Sequence, residues 1–241
     1  KNNDGSLAVF FSPRDKNNKS HIARLDLNLD NEHFSVQKIY DTPVLSPGAR
    51  GAFDDAGVTI GSITNEGAGN IRLYYLGWSI PTSVPFTNFI GAATLNRDDA
   101  QATRISPAPV IGRSKIDPFS LGYPWVMKNG HTHYDCWYGS HRFWGAQDLE
   151  MEHVIHHAHS QNGIDWQNDA NPTAIDIKGG EEFAVSRPCV YQCQNGIYHM
   201  WYARRFEHYK PGYAHSVDGK TWIRDDERFI MENRSDWDSD A

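Results

Sequence analysis

The sequence predicts an all-β chain, a β-propeller of about four recognisable blades. Three observations predict it. Residues 181–226, EEFAVSRPCVYQCQNGIYHMWYARRFEHYKPGYAHSVDGKTWIRDD, read as one four-stranded meander. The same unit recurs at a period of about 64 residues, too long for ankyrin or tetratricopeptide arrays and too rich in aromatic strands for helices. Successive units open on acidic residues at matching places.

In the clearest unit, the alternating run 186–192 is a strand, and Gln194-Asn195-Gly196 supplies a turn. IYHMWYA (197–203) has the aromatic content of a largely buried pleated surface. Residues 212–216 make the third strand, and Asp218-Gly219 closes a hairpin before Thr221-Trp222-Ile223. From the start of the chain, residues 5–40 supply three strands, LAVFFS, HIARLDL and FSVQKIY, and lack the first strand of the unit. Residues 41–52 are a Pro/Gly connector. Residues 53–115 form a full unit ending in the strand ISPAPVI. Residues 116–171 form the next, interrupted at 139–152 by an insertion read as a loop, with room for one helical turn around Leu149–Glu152. The last full unit spans 181–228, and the tail Trp237-Asp238-Ser239-Asp240-Ala241 repeats Phe53-Asp54-Asp55-Ala56-Gly57, so a fifth unit is expected to begin at 237. Trp201-Tyr202 aligns with Trp137-Tyr138, Tyr74-Tyr75 and Phe10-Phe11. Aromatic strands recur in any all-β protein, but that does not produce the in-register pair AHSQNGIDW (158–166) and AHSVDGKTW (214–222).

Composition bounds the rest. A chain of 241 residues fits one large all-β domain, residues 1–241. With 39% hydrophobic and 12% aromatic residues it is expected to fold, and no apolar run approaches the roughly 18 residues of a membrane span. A net charge of −7 leaves no basic footprint for nucleic acid, so neither nucleic acid nor membrane is expected as a partner. Three cysteines, Cys136, Cys189 and Cys193, cannot all pair within the chain. Cys189 and Cys193, read onto one strand face, stand about 13 Å apart, beyond disulfide reach. Free thiols and no visible secretory signal favour a cytoplasmic location, although the chain opens KNNDGS without a methionine.

The chemistry lies in the recurring acids: Asp54 and Asp55, Asp117, Glu181 and Glu182, then Asp238 and Asp240. In a radial array, matching positions converge on one axis. Glycosidic cleavage needs one protonated and one ionised carboxyl, about 5–5.5 Å apart for retention or roughly 6.5–9.5 Å for inversion. Crowded carboxylates raise one another's pKa, and Arg187 can hold a neighbour ionised. The bland alternative for each acid is a hydrogen-bond acceptor that closes a turn or a blade. Trp78, Trp137, Tyr138, Trp201 and Tyr202 offer flat faces to sugar rings, or else form blade core. Arg204 and Arg205 offer bidentate binding of an anionic sugar or phosphate, or else an ion pair. His153, His156, His157 and His159 lie on a third strand, and His215 repeats His159 in a Ser-Gly-Trp turn without metal logic. No cofactor or metal is implied, and no Gly-rich phosphate loop or nucleophile elbow is present.

Phe53-Asp54-Asp55-Ala56-Gly57-Val58, Tyr74-Tyr75-Leu76-Gly77-Trp78, Asp117-Pro118, Glu182 through Ser186-Arg187-Pro188, Met200-Trp201-Tyr202-Ala203-Arg204-Arg205 and the Ser-x-x-Gly-x-x-Trp turns carry a resemblance across nearly the whole chain. It resembles the five-bladed propeller glycosidases, the arabinanase/xylosidase and invertase/levansucrase superfamily. More closely, it looks like glycosidase-like propellers encoded among bacterial surface-polysaccharide genes. The resemblance implies three carboxylates on inner strands: a base or nucleophile, an aspartate in an Asp-Pro setting that orients substrate, and a glutamate acid. Asp117 and Glu182 match the last two. The strand for the first would lie before residue 1, so Asp54 or Asp55 takes that role or a missing segment does. The implied function is a glycoside hydrolase acting on an oligosaccharide or polysaccharide, with a glycosyl-transferring relative or a non-catalytic glycan- or protein-binding propeller as alternatives. An incomplete ring would leave blade faces open for homo-oligomerisation.

Overall fold

β-branched and aromatic residues alternate with polar ones along most of the chain, and Gly, Asn and Asp stand where strands must reverse. The computed structural model describes residues 2, 4–30, 33–96, 99, 101–145 and 151–229, and they are built almost wholly of strands. One 3-10 turn, Asp226–Phe229, follows the last strand. Among the described residues, no helix is long and apolar enough to cross a membrane. The chain divides into two compact units, residues 1–112 and 113–241, each taken by itself.

The first unit holds two antiparallel meanders. β1 (Leu7–Phe11), β2 (Ala23–Asp30) and β3 (His33–Ile39) pair in chain order, as do β4 (Gly57–Gly67), β5 (Asn70–Ser79), β6 (Thr87–Asn96) and β7 (Thr103–Arg104). Their core gathers Ile22, Val44, Leu45, Val58, Leu73, Tyr75 and Leu95. The expected fourth strand ISPAPVI is corrected to Thr103–Arg104. Pro107 and Pro109 have no N–H to give a ladder, and from that stretch Ile111 makes an isolated bridge to Ile90.

The second unit holds two four-stranded meanders. β8 (Leu121–Asn129), β9 (His133–Trp144), β10 (Met151–Ser160) and β11 (Trp166–Ile175) form one. β12 (Ala184–Gln192), β13 (Tyr198–Arg205), β14 (Tyr209–Ser216) and β15 (Ile223–Arg224) form the other. A single parallel pair, His153↔Ala184, joins them into an eight-stranded sheet. The insertion read as a loop is corrected: β9 runs on to Trp144 and β10 starts at Met151, because the ladder between them continues there, Trp144 opposite Met151 and Phe143 opposite Glu152. Residues 146–150, and the tail taken to open a fifth unit, lie outside the described residues. Cys193 falls beyond the end of β12, and all three cysteines are free thiols.

The two Ser-x-x-Gly-x-x-Trp turns show why those residues keep register. Ser160 Oγ accepts from the backbone N–H groups of Asn162 and Gly163, and Ser216 Oγ does the same for Asp218 and Gly219. Gly163 and Gly219 have φ of 70° and 73°, a conformation that favours glycine. Trp137, wholly buried, donates its indole N–H to the Gly219 carbonyl at 2.9 Å and meets Trp222 edge-on. With Val154, Ile155, Val185, Met200 and Tyr202 it forms the core of this unit. Each such side chain contributes about 1.5–3 kcal/mol on burial.

Candidate functional site

Each full meander places a buried carboxylate just before its first strand. In the β4–β7 meander it is Asp54. Its Oδ2 accepts from the Tyr75 hydroxyl at 3.2 Å and from Arg104 Nε at 2.9 Å, with a second Arg104 nitrogen at 2.8 Å. The backbone is pressed close around it, and a Cβ on Gly48 would overlap Asp54 Oδ1. Burial, more than the Asp54 charge, pushes the Tyr75 phenol up, so it acts as a donor. Asp55 is half-buried and accepts from the Gly51 N–H at 2.8 Å.

In the β8–β11 meander the acid is Asp117. It accepts from the Tyr138 hydroxyl at 2.9 Å and the Ser140 hydroxyl at 2.6 Å, and lies 2.9 Å from His156 Nδ1. Asn168 on β11 donates in turn to the Tyr138 oxygen at 2.8 Å. Beside it on β10, His157 Nε2 meets Asp135 at 2.9 Å, and burial notwithstanding, His157 and His133 hold that carboxyl below its usual range. His153 packs edge-on against His141, ring centres 4.9 Å apart. Burial lowers their pKa values to about 3 and about 4, which keeps both rings neutral.

In the β12–β15 meander the acid is Glu182. Arg204 Nε reaches its Oε1 at 2.6 Å, Arg224 donates to both of its oxygens at 2.8 and 2.9 Å, and the Lys178 N–H completes the set at 2.7 Å. The Arg224 and Arg204 hydrogen bonds outweigh burial and hold Glu182 below its ordinary pKa. Asp226 shares the cluster. It accepts from the Tyr202 hydroxyl at 2.6 Å, pairs with Arg224 at 2.8 Å and with Lys178 at 2.9 Å, and is lowered to about 2. These are charge-assisted contacts of the strong kind.

The remaining expected site residues separate by exposure. Arg187 is exposed. Trp78 is half-buried, its indole N–H donating to Ser20 Oγ at 2.8 Å and the Arg14 guanidinium lying over its ring. Trp137 and Tyr202 are corrected: both are core side chains, 0% and 4% exposed, with their polar atoms bonded inside the fold, so neither presents a face to a sugar. Tyr138 is likewise sealed. Trp201, on the opposite face of β13 from Tyr202, is 39% exposed and packs against the rings of His199 and Tyr213. Arg204 is spent on Glu182. Arg205 lies over Phe183 and Tyr209 and lines a groove of about 470 Å³ with Phe143, Met151, Glu152, Phe206 and Glu207.

Sequence reasoning missed Arg104 and Arg224, although both end short fourth strands and would align if ATR (102–104) were laid over WIR (222–224). It missed Tyr123 too, for which the sequence offered only the following proline.

No protein-family model matches the chain. Over 235 residues, 96% of the chain, it is 41% identical to two proteins of Mycobacterium tuberculosis, from two strains and both described as uncharacterized, and covers 76% of each. Among solved structures it is similar to a glycoside hydrolase, with a TM-score of 0.65 and 13% identity, covering 91% of this chain and 72% of that one. It is similar to a sucrose-6-phosphate hydrolase from Lactobacillus gasseri, with a TM-score of 0.65 and 14% identity over 92% of this chain and 45% of that one. A β-1,2-mannobiose phosphorylase from Listeria innocua, in complex with β-1,2-mannobiose, gives a TM-score of 0.60 and 13% identity over 86% of this chain and 53% of that one. The chain belongs to the family of the two mycobacterial proteins, and its fold is similar to that of the glycoside hydrolase and phosphorylase structures.

Proposed function

We propose that this chain acts on a glycan, as a glycoside hydrolase on a five-bladed propeller, with Asp54 or Asp55, Asp117 and Glu182 as its carboxylates. The observation that carries this reading is the likeness in fold, over 91% of the chain, to a glycoside hydrolase. Recurrence supports it: a buried acid stands at the same place in three meanders. In this reading Asp117 orients the sugar, Asp54 or Asp55 is the base, and Glu182 gives the proton. A donor needs its proton near the working pH. Arg204 and Arg224 oppose that at Glu182 in the resting protein, so substrate groups must draw the arginines away before transfer.

The same cluster favours a second reading, a propeller that binds a glycan without cleaving it. A carboxylate 2% exposed and ionised between two guanidinium groups serves as an anchor. A panel of oligosaccharides and aryl-glycosides separates the readings. As a hydrolase, Glu182→Gln loses about 10²–10⁴-fold on natural glycans but spares aryl-glycosides with good leaving groups, while Glu181→Gln, on an exposed side chain, changes little. If both substitutions are equally harmless on a substrate the wild type turns over, the proton donor is elsewhere. Binding without turnover of any glycan establishes the second reading.

A further inference from the structure

The first strand of each full meander breaks its register at the same point: between Ile60 and Ser62 on β4, Gly122 and Trp125 on β8, and Ser186 and Cys189 on β12. Such bulges re-aim a side chain and recur next to active sites. On β4 the residue inside the bulge is Gly61. On β8 and β12 the bulges hold Tyr123 and Arg187, at φ of 52° and 55°, each followed by a proline. Two bulky side chains thus occupy the left-handed region, where glycine would sit at no steric cost.

The two strained residues meet. The Arg187 guanidinium lies 4.4 Å from the centre of the Tyr123 ring, and its Nη2 donates to the Tyr123 hydroxyl at 3.1 Å. Arg187 is exposed and, among the described residues, pairs with no carboxylate. The contrast is with Arg24, Arg104, Arg204 and Arg224, each of which does. An exposed stack of this kind returns less than two left-handed positions cost, so strain is retained here for something other than folding. A guanidinium stacked on a ring keeps its planar fork of N–H donors pointed outward, which matches the two oxygens of a carboxylate or phosphate.

Building on the glycan reading above, we propose that Arg187 and Tyr123 form a subsite for an oxyanion substituent, so that the sugar taken by this chain is acidic or phosphorylated rather than neutral. Isothermal titration of the intact protein with glucuronate, glucose 6-phosphate and glucose reads the preference, and the two anionic arms tell a carboxylate from a phosphate. The expected result is at least about tenfold tighter binding of one anionic probe than of glucose, abolished in Arg187→Gln and weakened in Tyr123→Phe. Arg187→Gly, which relaxes the left-handed position, is expected to melt at or above the wild-type temperature while losing the preference. If the Arg187 variants melt lower yet keep the preference, the pair is structural and the proposal is overturned. Equal binding of all three probes overturns it, and so does binding of a neutral oligosaccharide with no response to either anion. In both cases the glycan reading still stands. Failure to bind or turn over any sugar removes both readings together.

Discussion

The β8–β11 and β12–β15 meanders repeat one design with two kinds of chemistry. Both bury an acid before the first strand, and both set a second-strand tyrosine hydroxyl on a buried carboxylate, Tyr138 on Asp117 and Tyr202 on Asp226. Around Asp117 the partners are hydroxyls and a histidine, with the neutral pair His141 and His153 on the same strands. Around Glu182 and Asp226 they are Arg204, Arg224 and Lys178. The repeat therefore conserves where the negative charge sits and leaves open how it is neutralised. The first meander surrounds its acid with hydroxyls and imidazoles, the second with guanidinium and ammonium groups.

The largest test of that contrast is to remove a cation from the second half. Arg224→Ala strips Glu182 and Asp226 of their shared partner and leaves Arg204 and Lys178 to balance two buried carboxylates, a change that should cost on the order of 3 kcal/mol. Denaturant unfolding should show a clear loss, whereas Asp117→Asn, which keeps the size and most hydrogen bonds of the other acid, should cost about 1–2 kcal/mol. Equal losses would mean that the two acids are held by the same forces after all.

Acid should separate the halves next. His153 and His141 are depressed to about 3 and about 4 by burial, against an unfolded value of about 6.5. Between those values the unfolded chain binds more protons, so their contribution is complete above about pH 6.5 and is lost as pH falls. Asp226, depressed to about 2, contributes above about pH 4 and gives way only as pH falls through about 2. Hydrogen exchange on acidification should therefore open β8–β11 first, with β12–β15 protected to lower pH. His153→Phe should flatten the first step, and simultaneous opening of both meanders would remove the distinction.

These contrasts also mark how far the sequence was legible. The in-register tyrosines and the Ser-Gly-Trp turns could be read because each is set by local spacing: the turn needs its serine and left-handed glycine wherever it occurs. The identity of the neutralising partner could not, because Arg224 lies 42 residues from Glu182, and His156 lies 39 from Asp117. Only pairing of distant strands brings them together. Trp137 and Tyr202 were read as stacking surfaces for want of one fact, the face of the strand that points inward; Trp201 beside Tyr202 points outward. The insertion after Gly139 was misread because what keeps HRFW in a strand is its ladder with β10, Phe143 opposite Glu152 and Trp144 opposite Met151, which local spacing does not show.

The single bridge between His153 and Ala184 has a consequence for how this protein is made. Every other pairing in residues 113–229 joins strands that follow one another in the chain. Such short-range ladders close small loops and need no distant segment to be present, the circumstance that speeds folding in strand-rich proteins. Each of these two meanders can therefore pair its strands as it leaves the ribosome, without waiting for a distant segment.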